Sequence, residues 1–148
     1  MTAPTNPAPV RLRAVDQADL AVIAAMLQDA LLPMMDIAFQ PAENRFVAVA
    51  NRYRWENKEA PERVLCALRL DHARAVRAKG IDRTDRGKIL NLLSISLNEA
   101  PDGPRVGFVF AGGAEIEVAV DALAMTIEDQ GEPWPAMSTP RHDEGADA

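Results

Sequence analysis

The chain has 148 residues but only one cysteine, two histidines and one tyrosine, and each scarcity removes a chemistry. Cys66 stands alone and cannot form an internal disulfide, and two histidines beside it do not make an all-Cys/His zinc site. No apolar run approaches the ~18 residues of a membrane span, so no membrane contact is expected. Neither the Walker pattern nor the dinucleotide fingerprint occurs in its strand-to-helix context, and no cofactor is expected. The opening MTAPTNPAPV has no positive region followed by an apolar stretch, so it reads as a Pro/Ala/Thr tail rather than a secretory signal. A soluble, cytoplasmic protein is the expectation.

The bulk composition is ordinary: 48% hydrophobic and 26% charged residues suit a globular domain with its own core. The formal charge of −6 hides an asymmetry. Between Arg45 and Lys88 stand 12 Lys and Arg against 6 Asp and Glu; the rest of the chain has 4 against 16. One third of an acidic protein is therefore basic, and it could face phosphate, an acidic partner or the remainder of the same molecule.

VRLRAVD alternates as a half-buried strand does, with Val10, Leu12 and Ala14 on one face. Asp16 then caps a helix in which Leu20, Ile23, Leu27 and Leu31 recur on one side, with Val22, Met26 and Ala30 widening the stripe until Pro33 ends it. From Met34 the period becomes two. MMDIAFQ and RFVAVANRYRW flank the turn PAEN as a hairpin, RVLCALRL puts Val64, Cys66, Leu68 and Leu70 on one face, and ILNLLSISLN reads as a strongly buried strand. RVGFVF and AEIEVAV join around a Gly-Gly turn. Residues 73–81 and 121–129 fit strand or helix. The segments LRLDHARAVRAKGID and VAVDALAMTIEDQG echo each other as strand, Asp, second apolar stretch and Gly turn.

These elements give an α+β fold, mostly antiparallel β-sheet, curved or barrel-like, with one N-terminal helix packed on it. The organisation expected is a tail over 1–9, a single domain over 10–131, and a Pro-containing acidic tail over 132–148 that docks in part at most, through Trp134.

Catalytic sets are thin. Cys66 shares its face with Val64, Leu68 and Leu70, which predicts a buried, inert thiol. His72 and Asp71 are strand neighbours and point to opposite faces, while His142 lies in the acidic tail. Glu115 and Glu117 share a strand face in the manner of a solvated surface. No metal site is expected. The basic block supplies the binding candidates Arg52, Arg54, Arg69, Arg74, Arg77, Lys79 and Arg83, with Arg45, Arg86 and Lys88 beside them. Within NRYRWE, parity sets Tyr53 and Trp55 with Val47 and Val49, and Arg52 and Arg54 with Phe46, Ala48 and Ala50. The valine face is expected to turn inward, which leaves both arginines on the surface.

Taken in order, LRAVDQADLAVIAAMLQDAL, NRYRWE, KGID, LLSISL, FAGGAEIEV, EDQGEPWPA and PRHD resemble the alphaproteobacterial family called Domain of Unknown Function 2948, over residues 10–143. The resemblance implies a single-domain bacterial cytoplasmic protein and brings no activity, substrate or catalytic residue. It singles out Trp134 and His142, which match the family's closing pattern, as candidates for a docked tail. The reading favoured is a small non-enzymatic binding or interaction module whose partner is another protein or a small ligand, with a homodimer among the options. RNA or single-stranded DNA binding through residues 45–88 ranks second, and an enzyme with a carboxylate-lined pocket third.

Overall fold

A computed structural model of the chain describes residues 8–137. The elements run β1 (Arg11–Ala14), α1 (Gln17–Met26), β2 (Leu31–Pro33), β3 (Ile37–Gln40), β4 (Arg45–Tyr53), β5 (Glu62–Asp71), β6 (Ala73–Lys79), β7 (Ile89–Ala100), β8 (Gly103–Phe110), β9 (Glu115–Val120) and β10 (Met125–Pro135). All pairings are antiparallel, in the order β1-β10-β5-β4-β2-β7-β8-β9-β6, with β3 added to β4. The sheet does not close into a barrel; β1 and β6 are its ends. Among the described residues no helix is long and apolar enough to cross a membrane.

Asp16 caps α1 by accepting the Asp19 N–H at 2.8 Å, while the Asp19 carboxylate accepts the Val15 N–H at 3.0 Å. The helix ends at Met26 instead of continuing to Pro33. Asp29 takes a left-handed φ of 64°, and hydrogen bonds between Asp29 N–H and Leu92 C=O and between Leu92 N–H and Ala30 C=O pull the chain into the sheet. Leu31 therefore pairs across strands with Asn51 and Asn91. Val22, expected on the buried stripe, is 54% exposed. Leu20, Ile23 and Leu27 pack into the core.

Residues 73–79 and 125–135 are both strands. The chain bends from β5 into β6 at His72, φ 60°, and from β9 into β10 at 121–124. The two bends lie side by side, tied by Asp71 N–H to Ala124 C=O and Asp121 N–H to His72 C=O. The two segments that echo each other in sequence are thus antiparallel partners, and together they turn the sheet's corner. Inside that corner Phe46 and Phe108 meet with ring centroids 5.7 Å apart, joining the two halves of the core.

The β8–β9 turn has positive φ at both Gly112 and Gly113, as its sequence requires. β7 is less buried than its composition suggests, because Ile89 and Leu93 face outward and a bulge interrupts it between Leu92 and Ser94. At the other end, Gly131 lies in a bulge within β10 and does not begin a tail. The strand resumes with Trp134 opposite Arg63 and Pro135 opposite Glu62. Prolines are accommodated there because β1 pairs only with Met125–Glu128, leaving that edge of β10 open.

Candidate functional site

The alternation of NRYRWE holds, but the face of Arg52 is the inner one, while Tyr53, expected to be packed, is indeed buried at 5% exposed. Phe46, Ala48, Ala50 and Arg52 point into the core, and Val47, Val49 and Asn51 are half-buried on the outer face. Arg52 is 0% exposed and Arg54 2%, so neither belongs to a basic surface. Phe46, Ala48 and Ala50 join the core cluster on that face, while Val47 and Val49 stay half-buried outside it.

Arg52 is buried because its charge is met. Its Nε and Nη2 donate to Asp129 at 2.8 Å each, and its Nη1 and Nη2 donate to Glu56 at 3.0 and 2.6 Å. Asp129 also accepts the Val10 N–H at 2.8 Å. Arg54 donates to Glu62, which the Asn57 amide also reaches at 2.8 Å. Burial alone would lower the Arg52 pKa, but the two carboxylates outweigh it and keep the guanidinium charged. Burial likewise pushes Glu56 and Asp129 up; bonds from Arg52 and from backbone N–H groups overcome that and hold both below their ordinary 4.5 and 3.8. Lowered folded-state values contribute stability that is fully present above the unfolded values and is lost as pH falls from those through the lower folded values. The urea midpoint is therefore expected to drop as pH falls below about 5, with a shallower drop in Glu56→Gln. Equal pH slopes in the two proteins would remove Glu56 from the acid response.

Tyr53 and Trp55 meet edge to face at 4.6 Å, with the Arg63 guanidinium 5.8 Å from the Tyr53 ring centre. The Trp55 Nε1–H donates to the Gln28 C=O at 3.1 Å. The pair clamps the chain leaving α1 onto the sheet rim and presents no open stacking platform.

The remaining basic candidates are dispersed. Arg69 bonds Asp71 at 3.3 Å, and Arg74 pairs with Asp121 at 2.9 Å. Arg77 and Lys79 are exposed on β6, and Arg83 lies in the 80–88 loop. Trp134 pairs in register with Arg63 at the end of β10 but its side chain is exposed, and His142 falls outside the described residues. Two further groups are poorly placed for catalysis. Burial, with Asp129 alongside, pushes the Cys66 thiol up to about 12, while Asp71 is taken by Arg45 and Arg69 rather than by the exposed His72. Among the described residues no three His, Cys, Asp or Glu side chains converge as a metal site.

What sequence reading missed is the place where the sheet fails to close. β6 is anchored to the β3–β4 turn by the Ala73 N–H, which donates to the Asn44 C=O, yet beyond that point β3 and β6 share no ladder. The 80–88 loop spans the gap. Its start is pressed against the β8–β9 turn, since a Cβ on Gly80 would lie 2.7 Å from the Gly113 oxygen; its end is held by the Met34 N–H on the Lys88 C=O. Between the two edges lies an open cleft of about 310 Å³. Ile37, Phe39, Phe46, Val76 and Ile116 form its apolar lining, and Arg83 and Arg86 line it from the loop. No sequence signal marked it, because its walls come from four separate stretches, each of which reads as ordinary strand or loop.

Compared with known proteins, the chain matches the family model described as protein of unknown function (DUF2948) over residues 10–142. No curated protein and no solved structure matches it.

Proposed function

We propose, for a chain that belongs to the DUF2948 family of proteins of unknown function, that it is a non-enzymatic ligand-binding module whose site is the cleft between β3 and β6. One observation carries this reading: two strand edges stand apart over an apolar gap that the 80–88 loop borders. Sheet edges are commonly paired, covered or blunted by charge, and a gap of this kind is open to a guest. Its volume falls at the lower end of the ~300–1,000 Å³ typical of small-molecule sites. Among the described residues the titratable side chains in the lining are Arg83 and Arg86, and a guanidinium supplies neither a general base nor a nucleophile. A bound peptide is a poorer fit, because β3 offers an edge of only four residues between two 3-10 turns.

Ala78 lies on β6 in the cleft wall, opposite Ile116, and its side chain can be enlarged to fill the space. Ala78→Phe is expected to weaken binding of the apolar fluorophore 8-anilinonaphthalene-1-sulfonate by about tenfold. Thermal unfolding should stay within about 4 °C of the parent, which separates a filled site from a damaged fold. Unchanged fluorophore affinity in a folded Ala78→Phe protein would place the site elsewhere.

A further inference from the structure

We infer that the ligand of this cleft is a medium-chain amphiphile with an anionic head, a carboxylate or phosphate monoester, held by Arg83 and Arg86; this rests on the cleft reading above. The single tail follows from volume. The cleft's volume of about 310 Å³ lies at the lower end of small-molecule sites, which suits a single short chain better than a two-chain lipid tail.

The head follows from the charges. Five arginines earlier in the basic block already have carboxylates within 4 Å: Arg45 with Asp71, Arg52 with Asp129, Arg54 with Glu62, Arg69 with Asp71 and Arg74 with Asp121. Among the described residues the side chains of Arg83 and Arg86 do not, and neither does that of Arg77; of these three, Arg83 and Arg86 are the ones that line the cleft, although the protein carries 22 Asp and Glu. The loop's own acids leave the pair free. The Asp82 carboxylate is occupied by the Thr84 N–H at 2.9 Å and hydroxyl at 2.6 Å, and Asp85 is not part of the lining. Two cations lining an otherwise apolar cleft complement an anion whose tail lies along Phe39 and Val76.

The test is isothermal titration of the full chain with decanoate, decyl phosphate, decanol and decyltrimethylammonium, all below their micelle-forming concentrations. Decanoate and decyl phosphate are expected to bind about tenfold more tightly than decanol, and the cation more weakly than any of them. The double variant Arg83→Gln/Arg86→Gln should erase the advantage of the anions and leave decanol unchanged. Both arginines are exposed, so this variant should unfold at the parent temperature. If decanol and decanoate bind alike and the double variant alters neither, the anionic head is wrong while the cleft reading survives. If no probe binds and Ala78→Phe changes nothing, the cleft reading itself has failed. If the protein instead co-sediments with phosphatidylglycerol vesicles in an arginine-dependent way and ignores decanoate, the pair serves a membrane surface and the inference is overturned.

Discussion

Replacing Arg52 by alanine is expected to destabilise the fold by about 3–5 kcal/mol, because it leaves Asp129, itself 2% exposed, as a buried charge without a counter-ion. The cost comes from what remains more than from what is removed. Asp129 keeps only the Val10 N–H as a strong donor, and Glu56, 22% exposed, can turn to solvent while Asp129 cannot. The same logic makes the double variant Arg52→Met/Asp129→Leu the informative partner. Removing both charges together is expected to recover about 2 kcal/mol or more of the single variant's loss, since a buried ion pair is often no more stable than well-packed apolar residues. Urea denaturation of the two variants beside the parent measures both numbers. A loss under about 1 kcal/mol for Arg52→Ala would mean that water reaches Asp129 and that the network is not buried in solution.

Phe108→Ala is expected to cost a similar amount, about 3–5 kcal/mol, by opening a cavity against the Phe46 ring at the junction of the two sheet halves. Val109, the next residue on β8, points to the opposite face and is partly exposed, so Val109→Ala should cost about 0.5 kcal/mol or less. Because Phe46 also lines the cleft, loss of its partner should loosen the cleft wall as well, and fluorophore binding by Phe108→Ala should weaken more than its stability loss alone produces. Thermal unfolding of both variants, with the fluorophore titrated into each, separates core from cleft. Near-equal stability of the two variants would contradict the burial assigned to Phe108.

Much of the fold was readable from local pattern. The Asp16 cap, the PAEN and Gly-Gly hairpin turns and the buried face of β5 follow from turn chemistry and period two, which act within a few residues. The end of α1 was not, because Leu27 and Leu31 suit a helix as well as the start of a strand, and the choice rests on Leu92, distant in sequence. The bulge at Gly131 was misread for a related reason: Gly and Pro usually mark a turn, and only pairing with Arg63 and Glu62 keeps the segment in the sheet. Of the candidate site, Arg83 was legible as a basic residue of a polar loop. Its apolar surroundings were not, since Phe39, Phe46, Val76 and Ile116 lie on four different strands and come together only in the folded sheet.

The sequence by itself determined which residues share a face, because alternation along a strand is a property of the backbone alone. It also determined where the chain turns, because Gly, Pro, Asn and Asp set that locally. Tertiary structure alone decided which face of β4 became the inside. Hydrophobicity favoured Val47 and Val49, yet the face of Phe46, Ala48 and Ala50 packs into the core, and Arg52 could follow them inward only because Glu56, four residues on, and Asp129, 77 residues on, arrive to neutralise it. Whether a charge can be buried depends on partners that only the folded chain brings together.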